Sequence, residues 1–124
     1  MDADDAHHDA CRSLIQGHAG ITMVPTLCLA EVAHLLASRG QWEGEVRLVG
    51  TLASGALVLE PVAPADLVRV AELVATYRDL PLGTVDASVV AAAERLGITT
   101  IATLDRRHFG VVRPAHVEAF ELVP

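Results

Sequence analysis

The spacing of apolar residues changes period several times along the 124 residues. Asp4–Gln16 reads as a helix, with Asp4 or Asp5 as cap, Leu14 and Ile15 facing inward, and Gly17 and Gly20 as its end. Ile21–Val24 is a short β-type run closed by Pro25. A helix then runs from Thr26, a good capping residue, to Ser38, with Gly40 as its stop. Leu27, Ala30, Leu35 and Leu36 give that helix an apolar face, and Glu31 sits in its second turn. Trp42–Leu52 is a further helix with Val46, Val49 and Leu52 as its stripe. Leu57–Val62 is a strand, and Asp66–Tyr77 carries Val70, Val74 and Tyr77 at helical spacing. Asp86–Leu96 is the next helix, ended by Gly97. Ile98–Thr103 and Val117–Val123 are the last β-type runs. Helices alternating with short apolar runs predict an α/β domain with a parallel sheet flanked by helices.

Composition narrows this picture. The chain is 52% hydrophobic but has only four aromatic residues, Trp42, Tyr77, Phe109 and Phe120, so the core must be built from Ala, Val, Leu and Ile. That suits a helix-covered parallel sheet. There is no lysine, and nine arginines face sixteen acids for a net charge of −7. Such a balance makes a poor general nucleic-acid binder; an RNA role needs a local basic patch or a bound metal. It also favours a basic protein partner. Cys11 and Cys28 form no CxxC pair and read as reduced, buried thiols of a cytoplasmic protein. No secretory leader is visible in MDADDAHHDA, and Ser13–Ala30, the longest uncharged stretch, contains too many polar and breaking residues for a membrane helix. Phosphate loops of the GxxxxGK[ST] and GxGxxG types and the GxSxG elbow are missing.

The chemistry concentrates in Gly83–Phe109. Asp86 opens a helix and Asp105 follows a strand, two places that lie on the same edge of a parallel sheet, where such sheets bind ligands. Carboxylates gathered there repel one another unless a cation lies between them. Each acid also has a plain structural reading. Asp86 suits a helix cap and Asp105 a turn. Glu31, flanked by Leu29, Ala30, Val32 and Ala33, reads as partly buried, its charge met by a cation or by an arginine. Arg106-Arg107-His108 is the most basic run and fits either a phosphate-backbone contact or a solvated loop. Thr84 and Thr103 place hydroxyls beside the acids. His7 and Cys11, four apart, are two ligands without a second pair.

Taken together, Leu29-Ala30-Glu31-Val32, Gly83-Thr84-Val85-Asp86-Ala87-Ser88 and Ala102-Thr103-Leu104-Asp105-Arg106-Arg107-His108-Phe109 resemble the PIN-domain family, and within it the VapC-type toxin ribonucleases of bacterial toxin–antitoxin pairs. The resemblance covers nearly all of the chain. It implies a single PIN-like domain over residues 1–124, of three-layer α/β form. It also implies a Mg²⁺- or Mn²⁺-dependent endoribonuclease with Glu31, Asp86 and Asp105 as catalytic metal ligands. Thr103, Arg106 and Arg107 would contact substrate RNA, and the partners implied are a cognate antitoxin and a second copy in a homodimer.

In the family a first strand ending in an aspartate precedes a short helix, whereas this chain opens with what resembles the sequence after that helix. Roughly a dozen residues are thus expected to be lacking, and with them the fourth acid. The role is not transferred to Asp2, Asp4 or Asp5. In the family's strand order the lacking strand is central, so Ile21–Val24 and Ile98–Thr103 are expected to face a gap, for which three explanations stand: Met1 is an internal start and the native protein begins upstream, the two strands close the gap in an altered sheet, or this is a decayed copy. Unpaired backbone groups there would cost about 1–3 kcal/mol each if buried. The competing reading from another class is a non-catalytic PIN-like module that keeps the antitoxin surface but lacks a full metal site. A small magnesium-dependent phosphohydrolase is a third.

Overall fold

A computed structural model describes Ser13, Gly17 and residues 20–124. The expected Asp4–Gln16 helix, apart from Ser13, lies outside the described residues, as do His7, Cys11, Asp2, Asp4 and Asp5. The elements that follow are β1 (Met23–Pro25), α1 (Thr26–Ser38), α2 (Trp42–Ala53), β2 (Val58–Glu60), α3 (Pro64–Thr76), α4 (Thr84–Leu96), β3 (Thr100–Ala102), α5 (Arg106–Val111) and β4 (Glu121–Val123).

The strands form two parallel ladders. In one, Met23, Val24 and Pro25 stand opposite Val58, Leu59 and Glu60; in the other, Thr100, Ile101 and Ala102 stand opposite Glu121, Leu122 and Val123. Parallel neighbours need a crossover. The α1–α2 hairpin lies between β1 and β2, and α5 lies between β3 and β4. Among the described residues no ladder joins β1 to β3, so the expected gap between these strands is not closed by their direct pairing. The Thr103 N–H donates to Val123 O at 2.8 Å and the Glu121 N–H donates to Thr99 O at 2.9 Å. Alternation then turns the backbone groups of Thr100 and Ala102 toward the opposite edge. Both residues are exposed, whereas Ile101 between them is buried.

The helix boundaries follow from local chemistry. Pro64 begins α3 where its missing N–H costs nothing. At the other end of α4, Gly97 adopts φ +69°, and the Ile98 N–H returns to Ala93 O at 2.9 Å, closing the helix with a left-handed residue that glycine accepts without strain. The first residue of α1, Thr26, does not cap it: its hydroxyl donates to Glu60 O at 2.9 Å and ties the helix to β2.

The core is built between α3 and α4 and beneath β3, α5 and β4. Val70, Leu73, Leu82, Val90, Ile101, Phe109, Val112 and Phe120 are buried, and Ala87, Ala91 and Ala93 let the two helices approach closely. Two ion-pair groups link α3 to α4. Arg69 meets Glu94 at 2.8 Å, and Arg95 meets both Asp66 at 3.0 Å and Glu60 at 2.8 Å. Asp66 is buried, and its carboxylate also accepts the Ala63 N–H at 3.1 Å. Arg95 and that N–H bond hold the Asp66 carboxyl below its ordinary value, against the opposing effect of burial.

The α1–α2 hairpin departs from the expected packing. Neither helix has a fully buried residue. Val46 and Val49 are 61% and 51% exposed, and Ala30 and Leu35 are exposed as well, whereas Leu27, Leu36 and Leu52 are half-buried, so only part of each predicted inward stripe is covered among the described residues. Periodicity located the apolar faces but not what covers them.

Candidate metal centre

Three segments converge at the ends of the parallel strands. The first turn of α4 presents Asp86, the turn after β3 presents Thr103 and Asp105, and α5 presents His108. One donor atom from each of Asp86, Asp105 and His108 lies within 4.8 Å of the other two. All three residues are half-buried.

Asp105 is the most constrained. Thr103 Oγ1 accepts the Asp105 N–H at 2.9 Å, which shapes the turn out of β3. Asp105 then caps α5: its Oδ1 accepts the His108 N–H at 2.9 Å, while Oδ2 contacts His108 Nδ1 at 2.6 Å. The plain reading of Asp105 as a turn residue is therefore half right, and the segment expected to be a loop is a six-residue helix. Thr103, expected to meet substrate, uses its hydroxyl oxygen to position Asp105.

Asp86 is not the cap of its helix. Gly83 occupies that place without a side-chain bond, and Asp86 stands three residues further on. Burial is the main cause that raises its carboxyl above the ordinary value. The charge of Asp105 adds to this, that of His108 opposes it, and that of Glu31 adds again. Among the described residues Asp86 makes no side-chain hydrogen bond, so its charge has no partner within the fold except the half-buried imidazole.

Glu31 reaches this region from α1. It is exposed, not partly buried as expected, because α1 itself covers no core. It forms no salt bridge among the described residues, which removes the arginine-pair reading there. Its charge is nevertheless felt at Asp86 and at Cys28. Cys28, one helical turn before Glu31, is half-buried, and its thiol is pushed up to about 11 by burial first and by Glu31 and Asp86 next. The structure thus places Glu31 and Cys28 on the same acidic region as Asp86, with Glu31 outside the compact Asp86–Asp105–His108 set.

Arg106 and Arg107 are exposed and turned to backbone carbonyls, Arg106 to Pro124 and Arg107 to Leu80 at 3.3 Å. Sequence reasoning missed Cys28 and His108 as neighbours of the acids. The Asp105-x-x-His108 spacing at a helix start carried the second; nothing local marked the first. An open depression of ≈ 420 Å³ at the α1–α2 turn, lined by Gly40–Gly44 and Arg47, shares no residue with the acidic region.

The donor chemistry suits a hard or borderline divalent cation: two half-buried carboxylates, one without a hydrogen-bonded partner among the described residues and raised by burial first and by its acidic neighbours next, beside an imidazole and an exposed third carboxylate.

Comparison with known proteins gives the family. The PIN-domain family model matches residues 1–113. Ribonuclease VapC26 of Mycobacterium tuberculosis is 34% identical over all 124 residues, which span 92% of its length. The crystal structure of Mycobacterium tuberculosis VapC20, described as a sarcin–ricin-loop-cleaving toxin, superposes with a TM-score of 0.70 at 22% identity. That match covers 79% of this chain and 75% of the other.

Proposed function

Because the chain belongs to the PIN-domain family, in its VapC-type branch, we propose that it is a Mg²⁺- or Mn²⁺-dependent endoribonuclease, the toxin of a toxin–antitoxin pair. The observation that carries this reading is the half-buried pairing of Asp86 and Asp105 at the strand ends, with the charge of Glu31 reaching the same place. A bound divalent cation neutralises charge on an RNA phosphodiester and lowers the pKa of attacking water.

Each residue then has a part. Asp86 is a direct ligand, since its carboxylate is uncommitted to the fold. Asp105 is a second ligand, held in orientation by Thr103 and by the first turn of α5. Glu31, exposed and on a separate element, orients water or a second ion. Arg106 and Arg107 lie beside Asp105 on the exposed side of α5, where release from their carbonyls would let them meet the RNA backbone.

The net charge of −7 and the exposed carboxylates suit a basic, arginine-bearing segment of an antitoxin as the partner that covers the site. No described helix is long and apolar enough to cross a membrane. From the family resemblance we infer a cytoplasmic homodimer.

The test is direct. Purified protein is incubated with structured RNA and Mn²⁺ or Mg²⁺, beside Asp86→Asn, Asp105→Asn and Glu31→Gln. Cleavage should require the cation, and each Asp substitution should reduce it by about 10²-fold or more, the scale of losing one electrostatic group at a reacting centre. Cleavage retained in Asp86→Asn refutes the assignment. Absence of cleavage by the wild-type chain, with antitoxin binding retained, favours the non-catalytic module. Turnover of small phosphate esters without RNA cleavage favours a phosphohydrolase.

A further inference from the structure

We propose that His108 supplies an imidazole nitrogen to the cation held by Asp86 and Asp105, giving the centre a mixed oxygen–nitrogen donor set that favours Mn²⁺ over Mg²⁺. The inference rests on reading this region as a divalent-cation centre, and adds to it a residue and a metal preference.

The first support is position. His108 belongs to the compact set of donors within 4.8 Å, whereas Glu31 does not. Two carboxylates alone leave much of an ion's coordination to water, and this ring is the third member of the compact carboxylate–imidazole set among the described residues. The second support is immobilisation. His108 sits three residues after Asp105 on the first turn of α5, so both side chains project to the same side. Its side chain is 23% exposed, and its own N–H is bonded to the Asp105 carboxylate it faces. A histidine serving only as solvated surface would not be held in this way.

The third support is the spacing itself. His108 Nδ1 and Asp105 Oδ2 stand 2.6 Å apart. Two donors bound at right angles to one ion at about 2.1 Å lie about 3 Å from each other. With the ring proton on Nε2 and the Nδ1 lone pair turned from Oδ2 toward the ion, a few tenths of an ångström of opening would let the pair serve as two adjacent ligands. One ring nitrogen of His108 also lies within 4.8 Å of an Asp86 carboxylate oxygen, so the ring stands beside both acids. Softness then sets the preference. Imidazole suits transition ions, whereas Mg²⁺ strongly prefers oxygen.

The alternative is that His108 only positions Asp105 through the hydrogen bond. Pulsed electron paramagnetic resonance on Mn²⁺-loaded, untagged protein separates the two. Coordinated imidazole gives ¹⁴N modulation, and a positioning residue does not. Isothermal titration with Mn²⁺ and with Mg²⁺ is run in parallel on wild type, His108→Ala and His108→Gln, the last keeping an N–H donor for Asp105. The expected result is ¹⁴N modulation in wild type that both variants lose. Mn²⁺ affinity should fall about 10–100-fold and Mg²⁺ affinity less than about threefold. Wild-type Mn²⁺ binding without ¹⁴N modulation, modulation that survives in both variants, or equal losses for the two ions, overturns the proposal and leaves the carboxylate centre standing. No Mn²⁺ binding by wild type, matched by Asp86→Asn, overturns the centre and the proposal together. Circular dichroism checks that the variants fold; if either does not, the wild-type spectrum and the other variant decide.

Discussion

Replacing Asp86 by Asn removes one charge while keeping the shape of the side chain, and its effect on stability follows from competing electrostatic contributions. Like charges at the 4.8 Å separation limit of Asp86 and Asp105 repel by about 0.9 kcal/mol in bulk water and about 3.5 kcal/mol at an effective dielectric constant of about 20. A carboxylate in the first turn of α4 gains about 0.3–1 kcal/mol from the helix dipole. The raised Asp86 carboxyl shows that the unfavourable contributions exceed the favourable ones, His108 included. Asp86→Asn should therefore stabilise the metal-free protein by about 0.5–2 kcal/mol, since surface screening keeps the repulsion near the lower of its two limits. At roughly 3–5 °C per kcal/mol for a chain of this size, Tm rises by about 2–10 °C.

The pH dependence has a definite sign. A carboxyl whose folded value lies above its ordinary 3.8 binds a proton more tightly in the folded state, so stability falls as pH rises through the window between the two. The penalty is complete above the folded value and gone below 3.8. Calorimetric melts in a chelating buffer at pH 7.5 should favour Asp86→Asn, and the difference should vanish at pH 3.5. Mn²⁺ at one hundred times its Kd should then stabilise wild type by about 2.7 kcal/mol and reverse the order. A lower Tm for Asp86→Asn in chelator, or a gap that persists at pH 3.5, would refute the half-buried Asp86 charge, penalised by burial first and by repulsion from Asp105 next, as the source.

Two further perturbations test the fold. Leu73→Ala removes a side chain that is 1% exposed at the α3–α4 contact, and should cost about 2–5 kcal/mol by denaturant melts at unchanged m-value. Asp66→Ala removes the Arg95 contact and the acceptor of the Ala63 N–H, and should cost about 1–3 kcal/mol at pH 7. Because the folded carboxyl value is depressed here, that contribution is present above 3.8 and is lost as pH falls through the folded value, so the variant and wild type should converge in strong acid.

The legibility of the sequence varied with length and punctuation. The helices α3 and α4 were located to within two residues at each end, because each is long enough for helical periodicity to show and because Gly97 marks a stop. Residues 106–111 were expected to be a loop. Six residues carry too little periodicity, and their start is written only in the Asp105 cap. The β-type runs were found but are shorter than expected, at three paired residues each, since apolar patterning continues past the last ladder partner. Asp86 and Asp105 were identifiable because strand-to-helix junctions have a fixed place in a parallel sheet. The proximity of Cys28 and His108 to them depends on how α1 and α5 pack, which no local spacing records.

That packing also divides the site into unequal halves. Asp86 lies in the first turn of a helix in which Ala87, Ser88, Val90 and Ala91 are all buried, and Asp105 and His108 shortly precede Phe109, which is buried in the same core. Moving any of these donors means disturbing the best-packed part of the molecule. Glu31 rides instead on α1, which has no fully buried residue and is held by the Thr26–Glu60 bond, by contact with α2 and by part of α4. Elements with few buried apolar contacts open at lower free energy than the core. In the centre proposed above, the compact carboxylate–imidazole set would thus be the core-anchored half and Glu31 the adjustable half. Completing the geometry around a cation and an RNA phosphate would then fall to α1, since Asp86, Asp105 and His108 are tied to the packed core.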